Sequence, residues 1–477
     1  MASEHQDSLI DLNTVVKTYD VRGLVGDQLT EPIIEAFGAA FADEVEAAGQ
    51  QIVVGHDMRP SSPDFAAAFA AGATARGADV VLIGLCSTDE TYYASGALNA
   101  PAAMFTASHN PAAYNGIKFS RAGAQGISLD TGLAAIRDRA SAFIADGIPA
   151  GESAGTVTER DVLADYAAYL RSLVDLSGIR PLRVVVDAGN GMGGLTVPAV
   201  LGEAAGLPAL PIEIIPMYFE LDGTFPNHEA NPLEPKNLVD LQLKVVEVGA
   251  DLGLAFDGDA DRCFVVDERG APVTPSAVAA IVALREIARA KAAGHEGEIH
   301  VIHNLITSRI VPETIEAAGA IPVKTKVGHS LIKDQMAATG AVFGGEHSAH
   351  YYFKDFWGAD NGMLAAMHLL AEFGLQTDTL SDFSARYMPY SVSGEINSTV
   401  TDLDAARARV RAVLEPIAEV DEFDGLMFVG RTGDDEPFWW CSVRPSNTEP
   451  LLRLNVEGAD RATMERIRDL ALEAIRA

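Results

Sequence analysis

Short apolar, β-branched runs alternate with alanine-rich helical stretches along most of this chain, and that alternation most limits the folds open to it. Ile52-Val-Val54 precedes a helical stretch from Asp64 to Arg76, and Asp79-Val-Val-Leu-Ile83 follows. Arg183-Val-Val-Val-Asp187 runs into the glycine-rich Ala188-Gly-Asn-Gly-Met-Gly-Gly194. Ser276 to Ala293 reads as a long helix, and Ile299-His-Val-Ile-His303 as the next strand. Such alternation predicts α/β layers with mostly parallel sheets. Sites in these folds gather at the carboxyl ends of strands, and every polar motif considered below follows an apolar run.

Toward the C-terminus the order changes. Gly394 to Val400 reads as a strand, Thr401 as the N-cap of a helix reaching about Ile417, and three strands follow near Leu426, Trp440 and Leu452. A final amphipathic helix runs from Asp460 to Ala477, which predicts a separate small α+β domain. Boundaries fall near Pro149–Gly155, Gly270–Pro275 and the linker Tyr387-Met-Pro-Tyr-Ser391. The expected division is 1–153, 154–272, 273–388 and 389–477, consistent with a length of 477 residues. No repeat is visible in the sequence itself, although three consecutive α/β units of similar length fit it.

The formal charge of −32 argues against nucleic acid and against anionic membranes as partners. No apolar stretch approaches a membrane span, and the polar N-terminus has no signal-peptide pattern, so a soluble cytoplasmic protein is expected. Cys86, Cys263 and Cys441 are too few and too scattered for a disulfide framework or a zinc site, and read as buried thiols. An anionic substrate would need a local basic cluster.

Between the apolar runs Leu252–Phe256 and Cys263–Val266 lies Asp257-Gly-Asp-Ala-Asp261-Arg262. Carboxylates at alternate positions can converge, the small Gly258 and Ala260 let the backbone curl, and hard oxygen donors suit Mg²⁺. An EF-hand would need glycine where Arg262 stands, and helices where these flanks read as strands. Thr106-Ala-Ser-His-Asn-Pro111 places Ser108 in a fixed, exposed loop, since Pro111 turns Asn110 away from helix. A serine hydroxyl is a weak nucleophile but a stable phosphate carrier, and no G-x-S-x-G elbow surrounds it. Lys118 sits inside an apolar strand, where burial can lower its pKa towards that of a general base. Arg444-Pro-Ser446-Asn447-Thr448-Glu449, with Arg453 nearby, offers the missing cationic cluster. Glu346, Ser348 and His350 in Gly345–His350 can read sugar hydroxyls. Lys324, Lys326 and His329, and the cluster Tyr19, Asp20 and Arg22, add further polar groups.

In their order and separations these motifs resemble the α-D-phosphohexomutase family, within it the bacterial phosphomannomutase/phosphoglucomutase branch, over nearly the whole chain. The resemblance implies three related mixed α/β domains plus a C-terminal TATA-binding-protein-like α+β domain around a central cleft. It implies that Ser108 is the phosphoserine and a metal ligand through its phosphate, that Asp257, Asp259 and Asp261 bind Mg²⁺, and that Arg262 steadies the phosphoserine. Lys118 is implied as general base or acid with His109 beside the serine. It implies that Arg444, Ser446, Asn447 and Thr448 clamp the non-transferring phosphate and that Glu346 and Ser348 read the sugar. Tyr19, Arg22, Lys326, His329 and His350 are implied as residues of the cleft. The implied reaction interconverts hexose 1-phosphate and 6-phosphate through hexose 1,6-bisphosphate, which is intermediate and activator, in a monomer or small homo-oligomer.

The chain departs from the family pattern in places. Ala260 stands where glycine is commoner, Pro445 and Glu449 alter the clamp, and His347 and Ala349 replace the usual methionine and glycine, which leaves mannose against glucose open. A phosphoglucosamine mutase is the nearest rival, although glutamine is usual there at the position of His347. A Mg²⁺-dependent sugar phosphatase would release phosphate and need no bisphosphate. A non-catalytic sugar-phosphate binder would have no reason to keep Ser108, Lys118 and all three aspartates.

Overall fold

Three of the four β-sheets repeat one plan. The computed structural model describes residues 11–430, 437–445 and 451–477, without the side chains of His329 and Ser330. The first sheet holds β1 (Val21–Leu24), β2 (Gln51–His56), β3 (Asp79–Leu85), β4 (Ala102–Phe105), β5 (Tyr114–Arg121), β6 (Gln125–Gly126) and β7 (Val157–Glu159). The second holds β8 (Leu182–Asp187), β9 (Ile212–Met217), β10 (Leu252–Phe256), β11 (Cys263–Asp267) and β12 (Pro272–Val273). The third holds β13 (His300–Asn304), β14 (Ile321–Thr325), β15 (Phe343–Gly345), β16 (Tyr351–Phe353) and β17 (Ala359–Asp360).

In each, the first strand of the plan lies between two parallel neighbours: β3-β2-β4, β9-β8-β10 and β14-β13-β15. The third strand then turns back into an antiparallel one, β5, β11 or β16. The serine loop, the aspartate loop and the Glu346–His350 loop are these three equivalent connections. Each contains a non-glycine residue in the left-handed region, namely Ser108 (φ 49°), Ala260 (φ 63°) and Ala349 (φ 66°). β10 and β11 are buried along their whole length because helices cover the sheet on both sides, which is why they read as continuous apolar runs.

The fourth sheet is antiparallel along its main path: β18 (Ser391–Val392), β19 (Ile396–Thr399), β20 (Ala418–Asp421), β21 (Leu426–Gly430), β22 (Trp439–Pro445) and β23 (Leu451–Gly458). The helices Leu403–Leu414 and Arg461–Arg476 pack together and cover one face around Phe428, Cys441, Leu454 and Ile467. The first unit has its own core around Phe37, Phe69 and Phe105, whereas the second and third share one continuous core.

Several boundaries differ from expectation. The helix near 401 starts at Leu403 with Asp402 as N-cap, because the Asp402 carboxylate, and not the Thr401 hydroxyl, accepts from Ala405 N at 2.9 Å. The first sheet continues past residue 153 because β7 pairs with β3, and the cut at 272 falls inside β12. β20 was not foreseen.

Candidate functional site

The aspartate loop closes on itself. Ala260 N donates to Asp257 O at 3.1 Å, and carboxylate oxygens of Asp257, Asp259 and Asp261 all lie within 4.8 Å of one another, fully buried. Asp257 accepts from Arg262 N (3.1 Å) and Arg262 Nε (3.0 Å). Lys118 Nζ, from β5, donates to Asp259 Oδ2 at 2.7 Å and Asp261 Oδ2 at 2.6 Å. The Oδ1 atoms of Asp259 and Asp261 are buried and without a hydrogen-bond partner among the described residues. Buried, acceptor-only oxygens that converge fit a hard divalent cation such as Mg²⁺, so the residues present suit the metal that the resemblance implies.

Burial drives the acidities here, and charge then sorts them. Burial pushes Asp257 well up, Arg262 opposes it, and the neighbouring carboxylates add to the rise. Burial would also raise Asp259, but the Lys118 ammonium outweighs it and holds that carboxyl well below its usual range. Burial lowers Lys118, yet Asp259 and Asp261 reverse this and take its pKa well above the ordinary value. The expectation of a depressed lysine pKa is therefore corrected: two carboxylates more than 140 residues away in sequence keep Lys118 charged.

Ser108 is held against this centre. Its Oγ donates to Asp257 Oδ2 at 3.0 Å, its N–H donates to Thr106 Oγ1 at 2.9 Å, and Gly258 passes beneath it. A Cβ on Gly258 would lie 2.5 Å from the Ser108 carbonyl oxygen, so only glycine permits that approach. The serine is 4% exposed, not in an exposed loop as expected, because the aspartate loop of the second unit packs over it. His109 Nδ1 accepts from Arg262 Nη2 at 2.6 Å. Burial, then Arg262 and Arg22, hold its pKa well below the usual value, so His109 is neutral.

Sequence reasoning missed Arg59. Its guanidinium is buried, pairs with Asp57, and donates to the carbonyls of Ser108 (3.0 Å), Asn110 (2.7 Å), Pro111 (2.9 Å) and Tyr114 (2.9 Å). One side chain thus fixes the whole serine loop. The signal was available: Asp57-Met-Arg59 follows β2 at its carboxyl end, the position that marked every other motif.

Tyr19, Arg22, Ser108, His109, Lys118, Asp261, Arg262 and His350 line one cleft of about 750 Å³, together with Asp360, also missed. The Tyr19 hydroxyl packs on Gly328 of the third unit. Glu346 is buried, accepts from Asn304 Nδ2 (3.1 Å) and the Tyr352 hydroxyl (2.8 Å), and lies 3.5 Å from His350 Nδ1. Ser348 Oγ is 3.0 Å from His350 Nδ1. Glu346, Ser348, Lys326 and Arg444 are not among the residues that line this cleft. The Lys326 ammonium lies 5.5 Å from the Phe423 ring centre, and Arg444 lies 3.7 Å from Asp424 and 4.0 Å from Glu395. His347 is not among the residues that line this cleft: its Nδ1 is 3.1 Å from Ser276 Oγ, in the seam with the fourth unit. Ser446, Asn447 and Thr448 and the His329 side chain lie outside the described residues.

Comparison with known proteins agrees with this geometry along the chain. Four family models match in order: phosphoglucomutase/phosphomannomutase alpha/beta/alpha domain I over residues 13–142, domain II over 164–270, domain III over 274–390, and the C-terminal domain over 395–474. A protein named "Phosphohexose mutases" from Xanthomonas campestris is 42% identical over 445 residues, 92% of this chain and 94% of that protein. A phosphomannomutase of Salmonella typhimurium is 37% identical over 448 residues, 93% of this chain and 94% of its own length. The crystal structure of a phosphoglucomutase/phosphomannomutase family protein from Burkholderia thailandensis superposes with a TM-score of 0.82 at 30% identity, covering 97% of each chain. The chain belongs to the phosphoglucomutase/phosphomannomutase family.

Proposed function

We propose that the chain interconverts hexose 1-phosphate and hexose 6-phosphate, with mannose, glucose or both as the sugar, by carrying a phosphoryl group on Ser108. The observation that carries this reading is the serine hydroxyl 3.0 Å from Asp257 Oδ2, inside a buried three-carboxylate centre at the floor of a cleft. Asp257, Asp259, Asp261 and the Ser108 phosphate would hold Mg²⁺, which when bound offsets charge on the transferring group. In the first transfer a substrate hydroxyl attacks phosphorus, the bond from phosphorus to Ser108 Oγ breaks, and hexose 1,6-bisphosphate forms. Lys118, charged in its pair of carboxylates, gives a proton to the serine oxygen and regains one from the attacking hydroxyl. After the bisphosphate has turned end for end, the other phosphoryl group returns to Ser108, and the serine proton passes back through Lys118 to the sugar oxygen that leaves.

The remaining cations hold and orient the substrate. Arg22 and Arg262 flank the serine from two units. Arg444, aided by Ser446, Asn447 and Thr448, anchors the phosphate that is not being transferred. Glu346 and Ser348 read the hydroxyls, with Tyr19, Lys326, His329 and His350 around them. Supporting this arrangement, the cleft faces the serine from the first, second and third units at once. Among the described residues no helix is long and apolar enough to cross a membrane.

The test is a side-by-side mutase assay on mannose, glucose and glucosamine 1-phosphates with added 1,6-bisphosphate, joined to intact-mass analysis. Ser108→Ala is expected to lose the protein-bound phosphate and at least about 10³-fold in turnover. Unchanged turnover in that variant, or stoichiometric release of inorganic phosphate by the native protein, would rule the mutase mechanism out.

A further inference from the structure

We infer that Thr88 is a positioning residue that fixes which oxygen of Asp259 faces the cation, an inference resting on the reading of the aspartate loop as the Mg²⁺ site. The Thr88 hydroxyl donates to Asp259 Oδ2 at 2.6 Å, and its backbone N–H donates to Asp259 O at 3.1 Å. Lys118 donates to the same Oδ2, while Oδ1 has no hydrogen-bond partner among the described residues. A carboxylate turns about a broad, roughly two-fold torsion, so neither oxygen is favoured without outside contacts. Two donors on Oδ2 break that equivalence and leave Oδ1 as the free ligand atom.

Thr88 is itself locked. It is fully buried and opens the helix Thr88–Leu98. Ser87 caps that helix by accepting from Glu90 N at 3.2 Å, and Asp89, next in the chain, accepts from the Tyr166 hydroxyl of the second unit at 2.7 Å. The positive end of the helix points at the aspartate loop through Thr88 N. This is a contact across 171 residues between the first and second units, and it does not line the cleft. Thr88 therefore acts on the cation only through Asp259, as outer partners of metal ligands do.

The experiment is a calorimetric titration of the full-length protein with MgCl₂. Thr88→Val keeps the shape and removes the hydroxyl; it is expected to weaken Mg²⁺ binding by about 10- to 100-fold, with Thr88→Ser restoring most of the affinity. In turnover assays the Mg²⁺ concentration for half-activation should rise while KM for the sugar phosphate holds. Thr88→Val that binds Mg²⁺ like the native protein, or Thr88→Ser that binds as poorly as Thr88→Val, would overturn the inference. Asp259→Asn in the same titration separates the two readings. If it also binds Mg²⁺ normally, the loop is not the cation site; if it alone fails, only the role of Thr88 is wrong.

Discussion

The reaction centre and the outer face of the fourth sheet are both buried and polar, but they are finished to different degrees. Around Ser108, Arg59 occupies four carbonyls of the loop, Arg262 occupies Asp257, and Lys118 bridges Asp259 and Asp261. On the fourth sheet, β22 and β23 set Trp440 beside Glu457, Ser442 beside Asn455 and Arg444 beside Arg453. On that face Ser442 Oγ, Asn455 Oδ1, Glu457 Oε2, Arg444 Nε and Arg453 Nε are buried and without hydrogen-bond partners among the described residues. Each such group costs about 1–3 kcal/mol. Around the serine the unpartnered oxygens are the converging Oδ1 atoms of Asp259 and Asp261, whereas on the fourth sheet the five atoms are spread over a whole face.

The largest effect is expected where the finished side is broken. Arg59→Met leaves the carbonyls of Ser108, Asn110, Pro111 and Tyr114 and the Asp57 carboxylate without their cation. Removing one partner of a buried ion pair costs about 3–5 kcal/mol. Urea unfolding should show a loss of that order, with turnover falling further than sugar-phosphate binding. A variant as stable and active as the native protein would show that the serine loop does not depend on this side chain.

Next comes a pH effect behind the same centre. Burial raises Glu90 to about 8 and Asp89 to about 7. The folded chain keeps a proton at Glu90 that the unfolded chain releases near the ordinary value of 4.5. Stability from this group is therefore complete below about pH 4.5 and is lost as pH rises through about 8. Glu90→Gln retains an acceptor for Ser87 N and removes the titration. Its melting temperature should match the native protein near pH 4.5 and exceed it by several degrees near pH 8; a constant difference across that range would contradict the assignment.

A smaller change sharpens the other side. In Glu457→Gln the amide oxygen can keep the bonds from Arg309 N (3.0 Å) and Trp440 Nε1 (2.8 Å), while the change removes a carboxylate that burial disfavours and whose Oε2 is without a partner among the described residues. The seam should tighten by about 1 kcal/mol, read as a higher melting temperature and reduced hydrogen exchange in β23. No change in either would mean that the unpartnered carboxylate oxygen does not weaken the closed seam.

The contrast also marks what the sequence could and could not disclose. Asp257–Asp261 and Ser108 were legible as candidates because a polar run after an apolar strand is a local signal, and Lys118 because a lysine inside an apolar strand is one. Arg59 was not, because its partners are backbone carbonyls some 50 residues on, which carry no side-chain signature. The charge of Lys118 was misjudged for the same reason: the carboxylates that set it come from another unit. His347 stood out in the sequence as a departure from the family pattern between Glu346 and Ser348, yet it faces Ser276. The three related units were expected from the length of the α/β stretch and from the resemblance, but no repeat shows in the residues themselves because strand order is kept among them and residue identity is not.

That shared plan supplies the smallest prediction. The three connections place Ser108, Ala260 and Ala349 in the left-handed region, where an L-residue costs about 1–2 kcal/mol relative to glycine. Ser108 carries the hydroxyl of the proposed transfer, but Ala260 carries no such group, and its side chain is buried in a turn whose carboxylates each accept from another group. Ala260→Gly relieves the backbone and adds disorder to the unfolded chain, which offsets about 0.4–1 kcal/mol of the gain. Loss of the buried methyl costs about 0.8 kcal/mol more, so the net stabilisation should stay under about 1 kcal/mol, with Mg²⁺ affinity unchanged. If affinity instead drops severalfold, the methyl group of Ala260 is what keeps the aspartate loop rigid, and the finish of the reaction centre depends on its strain as well as on its hydrogen bonds.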